Sequence, residues 1–174
     1  MSCAIGHSMR ILGIDPGIIS LGYGVVDAEQ EMQMVDYGVL GFSSQTPVEE
    51  RLCSLYGKLT NVIGEHHPNE VAIEEPFVGR NARSAFAVGR AQAIAILAAA
   101  NQGLPVYYYS PAQVKQQVTN YGRSDKQQVQ EMVKILLKLP HPPQPDDAAD
   151  ALAVAICHIQ QSHLSHWLAE HMSK

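Results

Sequence analysis

The chain of 174 residues is long enough for one domain with a substantial core, and its hydrophobic fraction of 46% excludes wholesale disorder. Three cysteines, Cys3, Cys53 and Cys157, show neither an even count nor a CxxC spacing, which reads as reduced thiols in a cytoplasmic compartment and excludes a disulfide framework. A formal net charge of −5 argues, as a sum, against a nucleic-acid partner.

In chain order, Met1 to Met9 lacks a basic region followed by an apolar core, so no signal peptide is evident. Residues 1–9 are expected to be an extension or a remnant foreign to the protein, 10–168 a single domain, and 169–174 a tail. Arg10-Ile11-Leu12-Gly13-Ile14 is a compact apolar run suited to a buried strand. Asp15 closes it, and Pro16-Gly17 forces a turn. An acid at the tip of a central strand is expensive to desolvate without a partner. Gly22 to Asp27 suggests the returning strand of a hairpin, and Met32 to Phe42 a third strand. Pro47 opens a helix running to about His66, with Leu52, Leu55, Leu59 and Val62 at helical spacing. Val71-Ala72-Ile73 is a short apolar strand, again closed by a carboxylate, Glu74.

A long Ala-rich helix is predicted from Ala82 to Gln102, with Gly103 as its stop and Gly89 inside it, open to close approach by another helix. Its longest apolar run, Ala93 to Ala100, is too short to cross a membrane. Val106 to Tyr109 reads as the next strand, Ser110-Pro111 as a helix start, and Ser124-Asp125-Lys126 as another, with Val129, Met132, Val133, Leu136 and Leu137 as its apolar stripe. After a proline-rich loop, the last helix is expected from about Asp146 to Trp167. The plan is α/β, with no repeat and no second domain.

Charge is unevenly spread along this plan. Residues 1–76 hold three basic side chains against eleven acidic ones, whereas 77–138 hold eight basic against two acidic, a segment of +6 in an acidic protein. Solvated helix surfaces would give the same pattern.

Asp147 and Asp150 are three residues apart and project from one face of the last helix, with Ala148, Ala149 and Ala151 expected to leave space around them. Capping of the helix N-terminus explains Asp146 or Asp147 as well as function does, but explains Asp150 poorly. Two acids at the ends of separate strands and two on one helix face would repel one another without cations. Hard divalent ions such as Mg²⁺ or Mn²⁺ relieve that, and two of them support phosphoryl chemistry.

These residues resemble the RuvC-type Holliday junction resolvases, which have a ribonuclease H-like fold. The likeness is carried by Gly13-Ile14-Asp15-Pro16-Gly17, Val71-Ala72-Ile73-Glu74, Gln113-Val114-Lys115-Gln116 and Asp147-Ala148-Ala149-Asp150-Ala151-Leu152-Ala153, in this order and spacing. It implies a five-stranded mixed sheet flanked by helices, and a homodimeric endonuclease that nicks two symmetry-related strands of a four-way DNA junction. By the resemblance Asp15, Glu74, Asp147 and Asp150 are the catalytic metal ligands, for two Mg²⁺ ions with Mn²⁺ as a substitute. Lys115 and Lys126 match basic positions near the cleaved strand, and Phe77 an aromatic that stacks on a base near the crossover. Arg80, at the expected helix start beyond Phe77, is a candidate phosphate contact from its own position. The RuvA–RuvB motor is the partner that the resemblance suggests.

The Ala-rich helix is the candidate dimer interface, although packing within the chain explains small residues equally. A ribonuclease H-like nuclease acting on RNA or RNA–DNA hybrids, and a non-catalytic junction-binding protein, are the alternatives. His158, His163, His166 and His171 do not share a face of the last helix and are expected at the surface, and Cys157 is expected as a buried small hydrophobe.

Overall fold

The computed structural model describes residues 9–17, 19–43, 45–75 and 82–172. Three antiparallel strands come first: β1 (Met9–Pro16), β2 (Ser20–Ala28) and β3 (Met32–Gly41). Helix α1 (Val48–His66) leads to β4 (Glu70–Glu74), which pairs parallel to β1, and α2 (Ala82–Asn101) leads to β5 (Val106–Tyr109), parallel to β4. The mixed sheet has the order β3-β2-β1-β4-β5. Three helices complete the chain: α3 (Pro111–Thr119), α4 (Lys126–Leu136) and α5 (Asp146–Met172). This is the expected five-stranded α/β architecture.

Strand alternation divides the core in two. Leu12 and Ile14 of β1 and Val71 and Ile73 of β4 pack with α1 and α2, through Leu55, Leu59, Ala91 and Ala95. Ile11 of β1 and Ala72 of β4 face the other way, into a cluster with Leu152, Ile156, Val114 and Val129 of α5, α3 and α4. Ser110 and Asp125 each cap the following helix with a reciprocal capping box, closed by Gln113 and Gln128.

Helix α5 comes close onto the sheet because glycines occupy strand positions directly beneath it, Gly22 and Gly13 among them. A Cβ on Gly22 would stand 1.9 Å from the Asp147 carbonyl oxygen, and one on Gly13 would stand 2.1 Å from that of Ala151. Ala148, Ala149 and Ala151 accordingly do not leave room around the acids, as expected from their size. They are at most 1% exposed, and their smallness lets helix and sheet backbones meet.

Four expectations change. The last helix continues past Trp167 to Met172, taking most of the anticipated tail into its final turn. Among the described residues, nothing lies within 4 Å of where a side chain on Gly89 would begin, so no described helix approaches there. The alanines Ala91, Ala95, Ala98 and Ala99 of α2 are spent inside the chain, in the core shared with α1. His158 is not at the surface but 2% exposed. It follows Asp150 and Ala151 by eight and seven residues, about two helical turns, and so shares their sheet-facing side. His163 is exposed as expected, and the side chains of His166 and His171 lie outside the described residues. Cys157 is fully buried.

Candidate active site

The alternation that sends Leu12 and Ile14 to the α1/α2 side sends Asp15 to the α5 side. In β4 it does the same for Glu74, two residues beyond Ala72. The parallel register pairs Ile14 with Ile73, so the next residues, Asp15 and Glu74, stand side by side at the ends of two central strands. Over them comes the start of α5, with Asp147 in its first turn and Asp150 in the second.

The four carboxyls act on one another electrostatically. Burial first, then the charges of Asp150 and Asp147, push Asp15 up to about 7, with Lys126 pulling the other way. Burial, then Asp15 and Asp150, push Glu74 up to about 8, against Lys115 and Lys126. Asp150 is also raised, chiefly by burial, although Lys126 opposes it. Desolvated acids that repel one another are the state that a hard cation relieves.

The bonds that Asp146 and Asp147 make with other elements speak against simple capping. Ser20 Oγ of β2 donates to Asp147 Oδ2 at 2.7 Å. Gln130 Nε2 of α4 donates to Asp146 Oδ1 at 2.8 Å, and Lys126 Nζ lies 3.3 Å from Asp146 Oδ2. Lys126 also pairs with Asp150 at 3.0 Å.

A cavity of about 200 Å³ opens beside the acids, walled by Glu74, Asp150, Lys115 and Lys126 over an apolar floor that includes Val114 and Val129. Both predicted lysines therefore stand with the carboxylates. Asp15 and Asp147 are not part of this wall. Among the described residues no three acidic, His or Cys side chains are drawn together tightly enough to grip a metal ion as they stand. Their chemistry nonetheless fits one: all four are hard oxygen donors, and three are held above the ordinary carboxylate range. Phe77 and Arg80 lie outside the described residues.

Ser20 was missed from the sequence. Its partner is 127 residues away, and no local pattern links a lone serine to an aspartate at that distance.

The family model "Crossover junction endodeoxyribonuclease RuvC" matches residues 11–158. The chain belongs to the RuvC family. A RuvC of Dehalococcoides mccartyi is 51% identical over 154 residues, covering 88% of this chain and 92% of that protein. The structure of Thermus thermophilus RuvC superposes with a TM-score of 0.84 at 37% identity, covering 90% of this chain and 97% of the other. A structure of the same RuvC in complex with a Holliday junction substrate gives a TM-score of 0.86 at 36% identity, over 90% and 96% of the two chains. The ribonuclease H-like fold expected from the sequence is thus the RuvC fold. Of the four motifs, the carboxylate-bearing three meet at the ends of β1 and β4 and the start of α5, and the fourth supplies Lys115 on α3.

Proposed function

We propose that the chain is a structure-specific endonuclease that resolves Holliday junctions in DNA recombination and repair, hydrolysing one phosphodiester in each of two symmetry-related strands. The observation that carries this, in a chain of the RuvC family, is the pairing of Asp15 with Glu74 beneath Asp150, flanked by two lysines. A purely binding protein gains nothing from buried acids facing a phosphate backbone.

Asp15, Glu74, Asp147 and Asp150 are the proposed ligands of two Mg²⁺ ions, with Mn²⁺ able to serve. Held by these four carboxylates, such ions would supply activation of a water and stabilisation of the leaving oxygen of a phosphodiester. The protein's own groups do the rest. Ser20 orients the Asp147 carboxylate, as outer partners of metal ligands do. Lys115 and Lys126 offset phosphate charge at the cavity that would receive the cleaved strand. Phe77 is the proposed stacking group and Arg80 a proposed phosphate contact, both on the segment between β4 and α2.

A two-fold DNA junction calls for two sites, hence a C2 homodimer. The face of α2 that the core leaves free supports this reading. Arg83, Phe86, Arg90, Ala93, Leu97 and Ala100 recur at intervals of three and four and are exposed, Phe86 at 72%. The nuclease domain spans 10–168 in this reading, works in the cytoplasm and cooperates with a RuvA–RuvB branch-migration complex. No described helix is long and apolar enough to cross a membrane.

The test is nicking of a labelled four-way junction in Mg²⁺ and in EDTA, with linear duplex, an RNA–DNA hybrid and Asp15→Asn as controls. Paired symmetric nicks that need both metal and Asp15 are expected. Cleavage of the hybrid in place of the junction would make the chain a nuclease of another substrate. Tight junction binding without cleavage in Mg²⁺ or Mn²⁺ would leave it a binding protein.

A further inference from the structure

Asp146 stands next to a proposed ligand and matches none of the resemblance's catalytic positions, yet each of its oxygens is engaged. Oδ1 accepts from Gln130 Nε2 at 2.8 Å, and Oδ2 faces Lys126 Nζ at 3.3 Å. Gln130 and Lys126 are one turn apart on α4, so that turn grips the carboxylate from two sides. The Asp125 capping box fixes the same end of α4, where Lys126 is the first helical residue. The Lys126 ammonium itself lies between two carboxylates, since Asp150 Oδ2 is 3.0 Å away.

We infer that Asp146, braced by Gln130, is a positioning residue that holds Lys126 at the mouth of the active site. The inference rests on the nuclease reading for its purpose, but its geometry is independent of it. With Asp150 as sole anchor, Lys126 would lose its partner as soon as a divalent ion engaged that carboxylate. Its flexible four-carbon stem would then carry the charge into solvent, because nothing stiff opposes it. Asp146 is an anchor that remains.

The strength of the contact suits that purpose. The Lys126 side chain is 47% exposed and that of Asp146 50%, a setting in which an ion pair adds little stability and exchanges readily. The ammonium can therefore pass from carboxylate to phosphate without a large barrier. Because Gln130 already orders Asp146, the pair loses less side-chain freedom than an isolated one would.

The test compares the wild-type protein with Asp146→Asn, which keeps the shape and removes the charge, and with Gln130→Ala. Acylation of Lys126 by an amine-reactive ester, followed by peptide mass spectrometry in Mg²⁺ without DNA, reads the anchor directly. Thermal unfolding and junction affinity in EDTA check fold and binding. Lys126 should label several-fold faster in Asp146→Asn, and to a smaller degree in Gln130→Ala, with affinity for the junction within about twofold. Single-turnover cleavage should fall about tenfold in Asp146→Asn, with no further fall on adding the change to Lys126→Gln, since the two act as a unit. Equal labelling of Lys126 in wild type and Asp146→Asn would overturn the inference, and so would additive losses in the double variant. A wild-type protein that cuts no junction would sink the nuclease reading while the labelling comparison still decided whether Asp146 anchors Lys126.

Discussion

Asp15 and Glu74 hold their protons chiefly because they are buried, and only then because other acids surround them. Their ordinary values, 3.8 and 4.5, rise to about 7 and about 8 in the fold. A folded acid with a raised value keeps a proton that the unfolded chain has already released. Its contribution to stability is whole below the unfolded value and is lost as pH rises through the folded one. The metal-free protein should therefore show a melting temperature that falls between about pH 4 and about pH 8, with most of the loss below neutrality. Asp15→Asn should flatten that fall, and Mg²⁺ should raise the melting temperature more at the alkaline end. A flat profile in the metal-free wild type would contradict the burial described here. At the same scale, removing the Ser20 hydroxyl should free the Asp147 carboxylate to turn. Ser20→Ala is expected to weaken Mg²⁺ binding about 10- to 100-fold by calorimetry, the usual cost of a lost outer partner, with thermal stability nearly unchanged. The acids were legible in the sequence because each closes an apolar strand or shares one turn of helix. The serine was not, since its meaning lies wholly in a contact between distant segments.

Among the elements, α5 shows most clearly where sequence pattern stops informing. The spacing of Asp147 and Asp150 gave their common face, but the apolar and alanine residues around the later turns did not reveal that His158 has polar company. Its Nδ1 lies 2.6 Å from the Tyr109 hydroxyl and its Nε2 2.6 Å from Glu70 Oε2, while the Tyr107 ring stacks at 4.5 Å. A histidine so enclosed is satisfied by the last residue of β5 and the first of β4, neither predictable from its neighbours in the chain. The trio ties α5 to both strands, to β5 at Tyr109, the register partner of Glu74, and to β4 at Glu70, its opposite end. His158→Phe should cost about 1–3 kcal/mol in urea unfolding, because it leaves the buried Tyr109 hydroxyl without a partner. Adding Tyr109→Phe should recover part of that loss, since the orphaned group is then gone. A double variant less stable than His158→Phe would show that the hydroxyl was not the source.

For the molecule as a whole, compact apolar runs marked the buried strands, although which face each side chain takes came only with the structure, and the charge census set the middle of the chain apart. What the census could not say is what those charges meet: Lys115 and Lys126 turn inward to the acids, whereas Arg83 and Arg90 border the free face of α2. The small residues of that helix were read as a surface for a second copy, and the structure uses many of them internally. The proposed dimer contact is thereby narrowed to the opposite stripe. Phe86→Glu, which plants a charge at its most exposed apolar position, should shift light scattering from dimer to monomer at unchanged melting temperature. The same variant should nick junctions singly, without the paired cuts of a two-site enzyme; a dimer that survives the change would put the contact elsewhere.

The bare backbone contact between α5 and the strands has a consequence for heredity. Where two elements meet through side chains, damage at one position is often repaired by a smaller residue opposite. At Gly22 the neighbour is the main-chain oxygen of Asp147, which every possible residue carries alike. In a selection for restored junction cleavage starting from Gly22→Ala, survivors should therefore be revertants to glycine, and intragenic suppressors at facing positions should be missing from the collection.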